Sequence, residues 1–398
     1  MVLVIAGLLA AISCFFVPPS FAYVDYINFH VLGILLALML LVSELVRLGV
    51  FLRLTKTLCG KVHSARGLSI LLILLAFLLS MVLTNDVTLV TLVPFTLLVL
   101  AGYEDLRLMS RTIILVTIAA NLGSMLTPIG NPQNLYLYSH YQISLGAFLA
   151  LMAPYSLVSL ILLMLSGWFL CHTDHENSSF MDRAATTTKA DTAGTIDAAG
   201  TVDTAGTVDT AATQGTKKSA SSKKSTLKLL LCLILFLLAL LTVARILDYR
   251  IMLGIVLVTM LLMDRYAFLG VDYNLLVTFV FFFILTGNLG KIPAVIAQME
   301  VFLSNQVVLT AILSSQIISN VPAAMLLSTF TTDGTGLLVG TNLGGLGTII
   351  ASMASLISYR FYTGYKTSHH YKDHYMVSFT IANVLFLAAL WLFHILWT

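Results

Sequence analysis

The sequence predicts an all-α polytopic membrane protein built as two inverted repeats, each with a re-entrant hairpin and a broken transmembrane helix. Three observations predict it. Hydrophobic residues make up 59% of the chain and charged residues 10%, with a mean hydropathy of +0.97, far outside soluble averages. Apolar runs of about 17–25 residues recur, the length a helix needs to cross a ~30 Å hydrocarbon layer. Polar, helix-breaking sequence also interrupts the apolar runs twice in the same form. It occurs first as Thr84-Asn85-Asp86 with Asn121 to Asn134, then as Ser319-Asn320-Val321-Pro322 with Asn342 to Thr348. At membrane depth such sequence is tolerated only where it is buried in protein or lines a water-filled cavity.

Composition removes whole classes of function. The net charge of +3 is small and sits in loops, so nucleic acid is not expected as a partner. β-Barrel alternation is absent. Cys14, Cys59, Cys171 and Cys232 are scattered without metal-ligand spacing and read as small apolar fillers or a loop thiol. The chain carries no His-Glu-x-x-His, no Gly-x-Ser-x-Gly and no phosphate-binding P-loop, which argues against an intramembrane enzyme or an ATP-driven pump.

Residues 1–171 form the first repeat. Residues 2–17 read as a retained helix rather than a signal peptide, since no Lys or Arg precedes the run and Pro18 and Pro19 end it. A second span covers 28–50, with Glu44 and Arg47 spaced as a local ion pair. Arg47, Arg53, Lys56, Lys61 and Arg66 mark the next stretch as a cytoplasmic loop. Residues 67–102 are too long for one helix and break at Thr84-Asn85-Asp86. Arg107 and Arg111 put the following loop on the same side, which favours a re-entrant hairpin; two thin spans with an external turn at 84–86 are the alternative. Residues 110–140 cross outward as a broken helix, because Pro128 and Pro132 remove backbone donors and Gly123 and Gly130 loosen the chain. Residues 146–171 return to the cytoplasm.

Residues 172–226 differ in kind. Ala-Gly-Thr-Ile-Asp-Ala and two copies of Ala-Gly-Thr-Val-Asp-Thr run from Ala193 to Thr210 without a bulky core residue. A β-helix of three such turns could not bury enough surface, so a disordered cytoplasmic linker is expected. Lys217, Lys218, Lys223, Lys224 and Lys228 suit anionic lipid at that surface. The second repeat, 227–398, has spans near 227–246, 251–263 and 274–290. A hairpin at 303–333 follows, then a helix over 335–359 interrupted at 342–352, and a last span at 375–396. The loop from Arg360 to Lys372 is basic and cytoplasmic, whereas Arg245, Arg250 and Lys291 fall outside and count mildly against this arrangement. Asp264-Arg265 reads as loop. His369, His370 and His374 lie at a basic edge where a metal site is not favoured. The expected location is the inner (plasma) membrane.

The repeat is visible by eye. Asn, Leu, Gly and Thr recur at identical spacing in Asn121 to Thr127 and Asn342 to Thr348, and Thr84-Asn85 matches Ser319-Asn320. Interrupted helices in corresponding places point to a transport site at the repeat interface. A broken helix exposes N–H groups that suit an anion and C=O groups that suit a hard cation. Thr84, Asn85 and Asp86 with the backbone from Gly123 to Thr127 are read as one cation site. Ser319 and Asn320 with the backbone from Gly344 and Gly345 to Thr348 are read as the other. Substrate would lie between them, touching Asn85, Thr127, Asn320 and Thr348. For Asn131 to Asn134, a site and a plain helix restart stand equal. Asp86 needs a cation, a proton or a hydrogen-bond network to sit there.

Thr84-Asn-Asp-Val87, Thr127-Pro-Ile-Gly-Asn-Pro-Gln-Asn134, Ser319-Asn-Val-Pro322 and Gly340-Thr-Asn-Leu-Gly-Gly-Leu-Gly-Thr348 resemble the ion transporter superfamily. That superfamily holds citrate and dicarboxylate transporters, arsenite permeases and NhaD-type sodium/proton antiporters; the chain is most similar to its citrate-transporter-like permeases. The resemblance covers nearly everything except 172–226. It implies two opposed hairpins, an elevator mechanism, sodium and carboxylate at the hairpin tips, no cofactor beyond a coupling Na⁺, and often a homodimer. The tips of the dicarboxylate branch read Ser-Asn-Thr; here Asp86 and Val321 replace the third hydroxyl.

A secondary transporter of a small anion, coupled to Na⁺ or H⁺, is therefore expected. A sodium/proton antiporter is the alternative, because Asp86 is the one carboxylate placed in the site. An arsenite permease, a channel and an intramembrane enzyme rank below both.

Overall fold

The computed structural model describes residues 2–21, 23–62, 64–103, 105–171, 218–303, 306–368 and 374–397, and their regular structure is entirely helical. In order the helices are α1 (Val2–Phe16), α2 (Tyr23–Tyr26), α3 (Phe29–Arg47), α4 (Val50–Cys59), α5 (Ala65–Ser80), α6 (Asn85–Ala101), α7 (Leu106–Gly123), α8 (Pro132–His140) and α9 (Leu145–Leu170). Then come α10 (Lys218–Val243), α11 (Tyr249–Met263), α12 (Tyr273–Leu289), α13 (Pro293–Leu303), α14 (Val307–Ile318), α15 (Asn320–Leu327), α16 (Gly334–Leu343), α17 (Met353–Ser368) and α18 (Tyr375–Trp397). Short 3₁₀ turns follow α7 at Ser124–Leu126 and α11 at Arg265–Gly270.

Among the described residues five helices are long and apolar enough to cross a membrane: Phe29–Arg47, Leu106–Leu126, Leu145–Leu170, Thr226–Val243 and Tyr375–Trp397. α12 and α13 form one further apolar pair, bent by 101° and a sixth candidate span if taken together. The protein is thus an all-α, multi-pass membrane protein. Its outward faces fit lipid: Leu157, Ile161 and Leu165 on α9 and Val377, Ile381 and Leu385 on α18 are exposed apolar residues. α7 is instead enclosed, with every residue from Thr112 to Gly123 buried.

The described residues divide into two compact units. One comprises Met1–Leu35, Lys61–Glu176 and Asp272–Thr398, and the other Leu36–Gly60 and Asn177–Val271. In the second unit Asp264 caps the 3₁₀ turn through Tyr266 N and pairs with Arg47 at 3.2 Å and Lys228 at 3.5 Å. It is thus the hub of that unit, where the sequence suggested only a loop. Arg47 favours it over Glu44, which lies 3.9 Å away.

Packing of the first unit rests on close helix approach. A Cβ on Gly123 would strike the Phe77 carbonyl, with Ser80 Oγ only 2.5 Å away, so α7 lies directly on α5. A Cβ on Gly344 would meet Ser315 Oγ at 2.6 Å, which brings the end of α16 onto α14 in the same way.

Three expectations need correction. The stretch read as a loop after Arg47 contains α4, whose buried Phe51, Thr55 and Cys59 recur every four residues; the basic residues between them hid that period. Residues 218–226, assigned to the linker, are helical and begin α10. α13 was not foreseen at all: its residues, apart from Leu303, show little burial to impose a stripe. The hexapeptide repeat, with the rest of 172–217, and His369-His370 lie outside the described residues.

Candidate functional site

Both interruptions fall where the sequence placed them. α5 ends at Ser80 and α6 starts at Asn85, with Thr84 as N-cap accepting from Val87 N at 3.4 Å. α7 breaks after Gly123, and the chain resumes as α8 at Pro132. Asn85 N donates to Gly130 O at 3.2 Å, and Thr127 Oγ1 donates to Met81 O. Gly130 N donates to Thr127 O at 3.3 Å.

The second interruption repeats these bonds residue for residue. In the register set by Asn121 and Asn342, Gly130 corresponds to Ala351 and Thr127 to Thr348. In the register set by Asn85 and Asn320, Met81 corresponds to Gln316. Asn320 N donates to Ala351 O at 3.0 Å, Thr348 Oγ1 to Gln316 O at 3.3 Å, and Ala351 N to Thr348 O at 3.1 Å. α17 restarts at Met353, the counterpart of Pro132.

Side chains then join the halves reciprocally. Asn121 Nδ2 donates to Ser355 Oγ at 3.4 Å, while Asn342 Nδ2 donates to Asn134 Oδ1 at 2.7 Å; Ser355 and Asn134 are themselves counterparts. Asn121 Oδ1 accepts from Asn85 Nδ2 at 2.9 Å and from Ser352 Oγ at 3.0 Å. The residue before Ser352 is Ala351, whose carbonyl also takes Ser319 Oγ at 3.3 Å. One polar network therefore runs from the Asn85 tip to the Asn320 tip. The N-termini of α6, α8, α15 and α17 gather along it and bring partial positive charge, although the first four N–H groups of α6 are already bonded within the protein.

A model of the citrate transporter family matches residues 1–334. The chain belongs to that family. It is 31% identical to an uncharacterized transporter of Methanocaldococcus jannaschii, across 75% of this chain and 72% of the relative. It is 30% identical to inner membrane protein YbiR of Escherichia coli, across 87% and 83%. A shorter likeness, 33% across 36% of this chain and 30% of the other, links it to the rice silicon efflux transporter LSI3. The protein is accordingly a membrane transporter and not an enzyme, and the described residues hold no His, Cys, Asp and Glu cluster suited to a metal ion.

For a transporter of this family the network's composition matters. Asn85, Asn121, Asn131, Asn134, Asn320 and Asn342 are all buried, and among the described residues no Lys or Arg forms an ion pair with it. The buried Asn131 Oδ1 and Asn342 Oδ1 have no donor, and the buried Gln133 Nε2 has no acceptor. Native buried polar groups are nearly always paired, so these three atoms mark places for a ligand or ordered water. Asp86 is half-buried in the first turn of α6, where the helix dipole favours its charge.

Of the predicted residues, Asn85, Thr127, Ser319, Asn320 and Thr348 all join the two bond sets. Both threonine hydroxyls donate to backbone, which leaves a lone pair to offer a ligand. The missing Cβ of Gly123 and of Gly344 is used for helix contact. Gly345 sits with its Cβ position 3.0 Å from Asn320 Nδ2. Sequence reasoning missed Asn342, Ser352, Ser355 and Gln316 as network members and left Asn121 and Asn134 unassigned. Continuing the visible alignment from Thr127 and Thr348 to Asn134 and Ser355 would have found most of them.

A cavity of about 1240 Å³ lies elsewhere in the same unit, lined among others by His140, Tyr141, Glu300, Asp333 and His394.

Proposed function

We propose that this protein is a secondary transporter that moves a small anion across the membrane, coupled to Na⁺ or H⁺. The halves are inverted repeats, α5–α6 and α14–α15 are re-entrant hairpins from opposite sides, and the network between them is the transport site, carried across by an elevator motion. The reciprocal pair Asn121–Ser355 and Asn342–Asn134 carries this reading, because residues that exchange partners across two equivalent segments lie about a pseudo-twofold axis.

The chemistry favours an anion. The positive ends of four helices and the Asn amides favour an anion without a fixed cation, so a bound Na⁺ or proton near Asp86 offsets negative charge that the protein leaves uncompensated. The citrate description of the family makes a carboxylate the first candidate, and the rice relative adds silicic acid to the panel. In proteoliposomes, uptake of labelled citrate, dicarboxylates, sulfate, arsenite or silicic acid should rise with an inward Na⁺ or H⁺ gradient; flux of none of them under either gradient overturns the proposal.

Asp86 supports a second reading, a sodium/proton antiporter, since the second tip has Val321 in its place. Na⁺-driven proton movement reported by a pH dye without any anion, and lost in Asp86→Asn, would select it.

A further inference from the structure

The two halves share their backbone bonds but differ at one pair of touching residues. At the first tip Met81 and Leu126 occupy the positions that Gln316 and Gly347 hold at the second. Gln316 Nε2 lies within hydrogen-bond distance of three carbonyls, Ile312 O at 3.2 Å, Gly344 O at 3.0 Å and Leu346 O at 2.9 Å, among which its two hydrogens are shared. Its Oε1 accepts from Thr348 N at 2.9 Å. The three acceptors fix which end of the amide faces the cage, since only the NH₂ can donate to carbonyls. Gly347, at φ +107°, makes room: a Cβ there would strike Gln316 Oε1.

A cage of backbone carbonyls at the end of a broken helix is the arrangement that coordinates a hard cation in a membrane site. In the second half its lone pairs are already taken by a tethered donor. The counterpart carbonyls of the first half belong to Phe77, Gly123 and Met125; the Ser80 hydroxyl donates to Phe77 O at 3.0 Å, but the thioether of Met81 has no hydrogen to give any of the three. The acid follows the same division, with Asp86 at the tip that lacks the amide and Val321 at the tip that has it.

We infer that the Gln316 carboxamide occupies the second-half cation position, so that the protein itself fills there what a coupling ion would fill in the first half. Gln316 is a positioning residue as well, since it also holds Thr348 N. The inference rests on the transport-site reading above and goes beyond it, because that reading alone would give both halves a cation.

The test is a Na⁺ titration of the purified full-length protein in detergent, with choline as the balancing cation and thermal unfolding as the readout. Wild type is compared with Asp86→Asn, Gln316→Glu and Gln316→Met. Gln316→Glu keeps the length and replaces the donor with a charged acceptor; Gln316→Met copies the first half. The expected result is single-site Na⁺ stabilisation in wild type, lost in Asp86→Asn, and an additional Na⁺-dependent rise in melting temperature in Gln316→Glu or Gln316→Met. Folded Gln316 variants whose Na⁺ response matches wild type would overturn the inference, as would two-site stabilisation in wild type. If wild type ignores Na⁺ while Gln316→Glu gains a response, sodium coupling fails and the assignment of Gln316 stands.

Discussion

The chain turns from α5 into α6 through Met81 to Thr84, while Ser319 alone separates α14 from α15. Thr84 keeps an ordinary extended backbone (φ −67°) and caps α6 with its hydroxyl. Ser319 makes the same turn at φ +74°, ψ 155°, a region that costs a non-glycine residue about 1–3 kcal/mol, and its hydroxyl reaches across to Ala351 O instead of capping α15. Equivalent backbone bonds are thus reached by a relaxed turn in one half and a strained one in the other. What the halves share is the backbone bonding at the two breaks, and what differs is how each turn is held.

The largest expected effect tests the close helix approach. Gly123→Ala drives a Cβ into the Phe77 carbonyl, which cannot rotate away, and should cost at least the ~1–3 kcal/mol typical of overpacking. Gly344→Ala meets Ser315 Oγ at 2.6 Å and Cβ at 2.7 Å and the Gly340 carbonyl at 2.9 Å, a smaller overlap than the one with Phe77. Melting temperatures in detergent should fall further for Gly123→Ala; equal losses would mean the two contacts are equally rigid.

Next are the central amides. Asn121→Ala removes the partner of Asn85 Nδ2, of Ser352 Oγ and of Ser355 Oγ, whereas Asn342→Ala strands only Asn134 Oδ1 among its side-chain partners. Each buried group left unpaired costs about 1–3 kcal/mol. Uptake into proteoliposomes should therefore drop more in Asn121→Ala, by roughly tenfold for each ~1.4 kcal/mol of difference. A greater loss in Asn342→Ala would break the ranking.

The smallest effect separates the turns by sign. Ser319→Gly removes the backbone strain and gives up weak hydroxyl contacts, so it should raise the melting temperature slightly. Thr84→Gly removes an N-cap, costs about a few tenths of a kcal/mol of stability and should lower the melting temperature. A fall in both would show that Ser319 is not strained in the membrane protein.

Much of this was legible in the sequence. Proline and glycine inside apolar runs placed both breaks, and α8 restarts at the very Pro132 that ends the preceding run. Asn85 and Asn320 were found because the repeat keeps them in hydroxyl-Asn pairs. Ser352 and Ser355 were not, because the second half writes serine where the first writes asparagine, and only the fold shows that Ser355 accepts from Asn121 as Asn134 does from Asn342. Gln316 was invisible for the opposite reason: nothing in the first half resembles it, and a glutamine within an apolar helix gives no hint that its amide spans three carbonyls. α4 and α13 were missed because helices that lie outside the buried core carry a weak or charge-masked period.

The central claim is that the halves face opposite ways, and side-specific labelling tests it most directly. In a cysteine-free background, single cysteines at exposed Lys61 and Gly102 bracket α5–α6, and at exposed Gln306 and Thr332 they bracket α14–α15. With a membrane-impermeant thiol reagent on oriented vesicles, the account predicts that 61 and 102 label only from the cytoplasmic side and 306 and 332 only from the outside. Labelling of 61 and 102 from opposite sides, or of all four from one side, would contradict it.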